Sequence, residues 1–128
     1  MDLLDLRVAL LGFTADRAAR HATPDGVARL AAAAALLDEA ATPAQVQSRD
    51  FDFFMCLVEL SQNRVLGLLA NAIRKIYDQN LDLFQRLYGA GFDANLHHAT
   101  VEAVRRKDSP AARTAMEAFG ALAIGGGQ

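Results

Sequence analysis

Apolar residues recur at every third or fourth position along most of the chain, which is the spacing of one face of an α-helix. The first such stripe lies within residues 3–21 and comprises Leu4, Val8, Leu11, Ala15 and Ala18. Two pairs, Thr23-Pro24 and Thr42-Pro43, then combine a preferred N-cap residue with proline in the first helical turn. The pattern therefore predicts helices over residues 3–21, 24–40 and 43–61.

The second half of the chain predicts three further helices. Asn63 is a suitable N-cap for a fourth helix, which is expected to continue to about Leu87 and to break at the glycines of residues 88–91. A fifth helix is predicted from about Asp93 to Lys107, and a sixth from Pro110 to about Ile124. We expect residues 1–124 to form one all-α domain, an antiparallel bundle of about six helices, and residues 125–128 to be a disordered tail.

Composition supports the helical prediction and narrows the function classes. The 128 residues include 26 Ala and 18 Leu but only 7 Val and 3 Ile, a bias that favours helices and excludes an all-β fold. The formal net charge is -2, so the chain lacks the basic excess of a domain that binds DNA by itself. A single cysteine (Cys56), an acidic N-terminus and the lack of an apolar stretch of about 18 residues predict a cytoplasmic protein without a membrane segment.

Four residues are candidates for chemistry. Arg7 lies among leucines and needs an anionic partner, which is either a structural ion pair or the carboxylate of a ligand. Asp50 stands where the third helix becomes almost wholly apolar, and it is either a solvated or capping residue or part of a site. His97 and His98 are adjacent, so on a helix they point about 100° apart and do not easily ligate one metal. The Walker, GxGxxG, HExxH and GxSxG motifs are all missing from the sequence, and we expect no enzymatic activity.

Three segments together resemble the effector-binding domain, called FCD, of the FadR subfamily of GntR transcription regulators. Residues 6–22 are similar to its first helix, with an arginine-containing turn that leads into an Ala-Ala-x-x-Ala stretch. Residues 50–63 resemble its Asp-x-x-Phe-His stretch, with Asp50, Phe53 and Asn63 in register. Residues 97–116 resemble its histidine-led helix, aspartate turn and last helix. The resemblance spans nearly the whole chain and implies an effector-sensing and dimerisation domain of a bacterial regulator.

The resemblance also implies which residues line the site. Many members of the family hold a divalent metal through an aspartate and three histidines, and these positions are Asp50, Phe54, His97 and Phe119 here. Because two of the four ligands are phenylalanine, we expect the metal to be lost and no other cofactor to be bound. The segment around Asn71 resembles the acyl-CoA-binding branch of the family, and an apolar cavity suits an acyl or aromatic effector. The expected ligand-binding residues are Arg7, Asp50, Phe54, Asn71, His97 and Phe119.

Two other functions stay open at this stage. The rings of Phe54 and Phe119 could fill the cavity, which would leave a structural module that only dimerises. Alternatively, Asp50 and His97 could act as an acid/base pair of a helical enzyme, which requires both groups to converge on one bound substrate. The resemblance to dimeric regulators implies that the protein is a homodimer. It also implies contact with DNA only through a winged-helix domain, which we expect to lie outside these 128 residues.

Overall fold

The computed structural model describes residues 3–79 and 94–126, and all regular structure in these two ranges is helical. The helices are α1 (Leu3–His21), α2 (Pro24–Asp38), α3 (Pro43–Ser61), α4 (Arg64–Gln79), α5 (Asn95–Arg105) and α6 (Ser109–Gly126). The prediction of an all-α bundle is confirmed. The predicted continuation to Leu87 and the break at residues 88–91 lie outside the described residues.

Four side-chain caps explain where the helices begin. The hydroxyls of Thr23 and Thr42 each accept a hydrogen bond, at 3.1 Å, from the backbone N–H three residues later. Asn63 and Asp108 cap α4 and α6 in the same way, also at 3.1 Å. Such caps satisfy backbone donors that have no partner within the helix. The starts of α2, α3 and α4 therefore fall where the sequence predicts them.

Helix ends agree less closely with the sequence. α2 ends at Asp38, two residues before the predicted end at Ala40. α6 continues to Gly126, so its backbone includes two glycines that the sequence assigned to the tail. Glycine disfavours a helix by only about 1 kcal/mol per residue, which weakens a helix end without fixing its position.

α1 packs against α3, α5 and α6. Its direction relative to α3 is parallel, because Arg7 lies near Asp50 at one end and the Gln62 amide donates to the His21 carbonyl at the other. α1 and α6 run antiparallel and approach closely at Gly120, where an added Cβ would lie 3.0 Å from a Val8 methyl group. The alanine-rich face of α1, which includes the fully buried Ala15, Ala18 and Ala19, permits this tight packing.

An ion-pair network links α1 to α6 at the surface. The Asp16 carboxylate accepts hydrogen bonds from Arg20 at 2.7 Å and from Arg113 of α6 at 3.1 Å. The hydrogen bond from Arg20 holds the pKa of Asp16 below its usual value, and the contribution of Arg113 acts in the same direction. Partial desolvation opposes both effects but does not reverse them.

α4 lies on the outside of the bundle. Leu66 and Ala70 of this helix pack against Val58 of α3 and form a small apolar cluster apart from the main core. The neighbouring side chains Val65, Leu68 and Leu69 are exposed, with Leu68 at 72%. Within the described residues, no helix has the length and apolar character needed to cross a bilayer.

Candidate functional site

A buried aspartate–histidine pair joins α3 to α5. His97 lies in the first turn of α5 and is fully buried, and its Nε2 atom is 2.7 Å from Oδ1 of the nearly buried Asp50. The two residues are 47 positions apart in the sequence. A buried carboxylate needs such a partner, because desolvation of an isolated charge is very costly. His97 is thus the inward-facing member of the histidine pair.

Arg7 of α1 brings a positive charge to the same place. Its Nη2 atom lies 3.9 Å from Oδ2 of Asp50, which is longer than a hydrogen bond, and only 11% of its side chain is exposed. The guanidinium carbon lies 5.2 Å from the centre of the Phe119 ring of α6, at a distance suited to a cation–π contact. Four helices therefore contribute to one site, which we call the polar cluster: Arg7, Asp50, His97 and Phe119.

Two phenylalanine rings contact the His97 imidazole. The centre of the Phe119 ring is 4.4 Å from that of His97, and the centre of the Phe53 ring is 4.9 Å away, both in edge-on geometry. Phe119 was expected here, whereas Phe53 was not singled out as a wall of the site. Phe54 is partly buried between the main core and the small apolar cluster, and its ring pairs with Phe51 at 6.1 Å. The ring next to His97 therefore belongs to Phe53, and that of Phe54 points about 100° away around α3.

Asn71 lies away from the polar cluster. It is exposed on α4 and lines an open surface groove of about 580 Å³ between α3 and α4. Val58, Leu68 and Met55 give the groove its apolar surface, and Glu59 and Arg64 contribute charge. The structure thus brings Arg7, Asp50, His97 and Phe119 together and places Asn71 elsewhere.

The residues at the four positions where the resemblance implies metal ligands do not fit a divalent cation. Asp50 and His97 are the only donors among the four, and they are hydrogen-bonded to each other. Among residues 3–79 and 94–126, no three His, Cys, Asp or Glu side chains converge. Protein metal sites usually need at least three such ligands.

The cysteine is not an activated nucleophile. Cys56 is half-buried on α3, and desolvation raises the pKa of its thiol above the usual value. The nearby Arg29 acts in the opposite direction but is the smaller effect. A thiol with a raised pKa stays protonated at neutral pH and is a poor nucleophile.

Gln47 is a polar residue of the interior that sequence reasoning missed. It lies one turn before Asp50 on α3 and is only 3% exposed. Among the described residues, neither the oxygen nor the nitrogen of its side-chain amide has a hydrogen-bond partner. The signal was present in the sequence as a glutamine three residues before Asp50, at a position that shares its helix face.

Comparisons with known proteins agree with the fold. The model of the FCD domain family matches residues 2–120. Over 69 residues the chain is 36% identical to a protein of Mycobacterium tuberculosis described as an uncharacterized HTH-type transcriptional regulator. The matched segment covers 54% of this chain and 28% of that regulator. No solved structure matches the chain significantly.

Proposed function

Because the chain belongs to the FCD domain family, we propose that it is the effector-binding domain of a bacterial transcription regulator of the GntR type, FadR subfamily. The family match over residues 2–120 and the similarity to an HTH-type regulator support this proposal. The matched segment is about a quarter of that regulator's length. DNA binding would be the task of another domain of the whole protein, and a cytoplasmic location follows from that task.

The observation that carries the proposal is the buried guanidinium of Arg7. Oδ1 of Asp50 is 2.7 Å from His97, and the contact of Oδ2 with Arg7 is long, at 3.9 Å. The planar guanidinium is well suited to bind an anionic group in bidentate fashion, and its burial strengthens such a contact. We propose that the anionic group of an organic effector binds Arg7.

The surroundings of Arg7 favour an effector with an apolar part. The Phe119 ring contacts Arg7, and the rings of Phe53 and Phe119 both contact His97. Aromatic walls around a few polar groups are typical of sites for small organic ligands. The effector would therefore be an acyl or aromatic acid, or its CoA thioester, bound without a metal.

Effector binding would change the arrangement of the helices. Arg7 is only 11% exposed, so an anion reaches it only when neighbouring side chains move. A ligand that binds one arrangement of α1, α3 and α6 more tightly than another shifts the population toward it. In a homodimeric regulator, that shift would alter how the attached DNA-binding domains are held.

Binding of simple acids tests this proposal. Isothermal titration calorimetry with octanoate, benzoate and octanoyl-CoA should show binding of at least one of them to the wild-type domain. Arg7→Gln removes the charge and should weaken that binding about tenfold or more, because a hydrogen bond to a charged group contributes about 1.5–3 kcal/mol. Arg7→Lys, which keeps the charge but loses the bidentate geometry, should lie between the two.

The matched control is Arg29→Gln, since Arg29 is more than half exposed and pairs with Glu59 at the surface. It should bind the acids as tightly as the wild type. Circular dichroism must show that each variant keeps its helices. The proposal is wrong if the wild type binds none of the acids, or if folded Arg7→Gln binds them with unchanged affinity.

A structural dimerisation module is the second candidate function. The exposed apolar side chains of α4, with Leu68 at 72% exposure, favour it because such a stripe is suited to contact another protein surface. Sedimentation equilibrium gives the number of subunits. A dimer that binds none of the acids would support this candidate, and a monomer would exclude it.

An acid/base enzyme is less well supported, because Asp50 and His97 converge on each other beside two phenylalanine rings.

A further inference from the structure

Gln47 carries a buried side-chain amide to which no other described residue is hydrogen-bonded. The residue is only 3% exposed. Among the described residues, neither the oxygen nor the nitrogen of its amide is hydrogen-bonded. Natural proteins satisfy the large majority of buried polar side chains. A donor and an acceptor left together in the interior are costly unless a ligand or an ordered water completes them.

Two other glutamines of the chain, Gln45 and Gln62, differ from Gln47 because their side-chain amides are hydrogen-bonded. The oxygen of Gln45, two residues earlier, accepts a hydrogen bond from the Ala41 backbone at 2.7 Å. The amide of Gln62 donates to the His21 carbonyl at 3.3 Å and links the ends of α3 and α1. Both are exposed and nonetheless engaged. Gln47 combines the deepest burial of the three with no bond among the described residues.

The position of Gln47 relates it to the polar cluster. Three residues of a helix rise about 4.5 Å, so Gln47 lies about one turn from Asp50 on the same side of α3. Asp50 in turn lies 3.9 Å from the guanidinium of Arg7. Since α1 runs parallel to α3, Gln47 lies toward the start of both helices from the contact between Asp50 and Arg7.

We propose that Gln47 is a second effector contact and that the effector is an organic acid that also carries a carboxamide. A carboxamide is complementary to a glutamine side chain, because its N–H donates to Oε1 while its carbonyl accepts from Nε2. The acid group would bind Arg7 and the amide would bind Gln47, so the two residues would bind opposite ends of one molecule. This inference rests on the proposed function, since it takes Arg7 as the anion site.

Such a contact would give the site its selectivity. A site with buried hydrogen-bonding groups rejects an analogue that lacks the matching group, because the groups of the protein are then left unsatisfied. An isosteric effector without the amide would fill the same volume and still bind poorly. Gln47 would therefore discriminate among acids of equal size.

Three aromatic acids of similar shape test the proposal. The carbamoyl group of 4-carbamoylbenzoate can donate and accept, the acetyl group of 4-acetylbenzoate can only accept, and 4-isopropylbenzoate can do neither. By calorimetry, wild-type affinity should fall about tenfold or more from the first acid to the third. In Gln47→Met, which keeps the length of the side chain without its amide, this order should disappear. Gln79→Met, at the exposed end of α4, is the matched control and should retain it.

The unliganded protein provides a second readout. Gln47→Met removes a buried amide that has no hydrogen-bond partner within residues 3–79 and 94–126, so the melting temperature of the variant should equal or exceed that of the wild type. A clear decrease in melting temperature would mean that an ordered water or a structural contact satisfies the amide, and the inference would be wrong. The control Gln79→Met should melt at the wild-type temperature.

The outcomes separate this inference from the proposed function. If octanoate or benzoate binds at Arg7 but the wild type does not prefer 4-carbamoylbenzoate, the proposed function stands and the role of Gln47 is wrong. If the wild type prefers 4-carbamoylbenzoate but Gln47→Met keeps this preference, another residue binds the amide and the role assigned to Gln47 is likewise wrong. If the wild type binds none of the acids, both proposals fail.

Discussion

His97 and His98 are neighbours in the sequence, and each has its Nε2 atom 2.7 Å from an aspartate oxygen. Their surroundings differ. The His97 side chain is fully buried and its partner Asp50 is 9% exposed, whereas His98 and Asp38 are each about half exposed. Water competes for and screens the exposed pair, whereas the buried pair is shielded from water. We therefore expect unequal energies from hydrogen bonds of equal length, and burial assigns His97, not His98, to the polar cluster.

The largest expected effect is the loss of the buried partner. His97→Ala leaves the Asp50 carboxylate in the interior without its 2.7 Å hydrogen bond and opens space beside two phenylalanine rings. Removal of one member of a buried pair typically costs about 3–5 kcal/mol of the free energy of unfolding. His98→Ala should cost less than about 1 kcal/mol. Urea unfolding of both variants measures the difference.

A double-mutant cycle isolates each pair from other losses. The coupling energy between His97 and Asp50 should exceed that between His98 and Asp38 by more than about 1 kcal/mol, because only the first pair is shielded from water. Equal coupling energies would show that burial does not set the strength of these bonds.

Two helical glycines, Gly120 and Gly67, also differ in burial, because an added Cβ would contact other atoms only at Gly120. In Gly120→Ala the new Cβ would lie 3.0 Å from a Val8 methyl group and 3.3 Å from the Val8 Cα, where α1 and α6 meet. Overpacking of this kind typically costs about 1–3 kcal/mol. In Gly67→Ala the Cβ meets no atom within 4 Å, and the helix should become more stable by up to about 1 kcal/mol. Thermal unfolding should show opposite shifts, and a stabilised Gly120→Ala would contradict the close packing of α1 and α6.

The smallest effect is expected at the surface ion-pair network of Asp16. Asp16→Asn removes the carboxylate that pairs with Arg20 and Arg113, whose side chains are 55% and 41% exposed. Solvent screening limits the expected loss to about 0.5–1 kcal/mol at neutral pH. The substitution changes only this ion-pair network between α1 and α6 and leaves the apolar side chains of the core unchanged. Urea unfolding of both proteins at pH 7 gives the difference.

The pH dependence of this loss has a defined sign. Because the pKa of Asp16 in the folded protein lies below its ordinary value of 3.8, its contribution is fully present above that value. The contribution disappears as the pH falls below 3.8 and through the lower pKa of the folded state. The wild type and Asp16→Asn should therefore converge in stability in acid. A difference that persists or grows in acid would contradict the assignment to the charge of Asp16.

Local signals made most of the fold predictable from the sequence. Thr23, Thr42 and Asn63 are N-caps in the structure as the sequence indicated, because a cap depends on residues within one helical turn. Helix ends were less predictable. α2 stops at Asp38 although its sequence continues with helix-forming alanine, since there the backbone N–H groups of Glu39 and Ala40 bond three residues back.

The geometry of the polar cluster was predictable only in part, because it depends on packing between distant helices. The resemblance to a family brought Asp50, His97 and Phe119 together, and the structure places them in contact. The same reasoning selected Phe54 and Asn71, whereas the ring beside His97 is that of Phe53 and Asn71 lies at the surface groove. A shift of one helical position changes which side chain faces a neighbouring helix, and the sequence alone does not specify that rotation.

A crystal structure of the domain with the acid that binds most tightly is the most direct test of the central claim, that the buried polar cluster is the effector site. We expect the carboxylate within about 3 Å of the Arg7 guanidinium, with the apolar part of the molecule in contact with Phe119. A ligand bound instead in the groove at Asn71, with Arg7 and Asp50 unchanged, would contradict the claim.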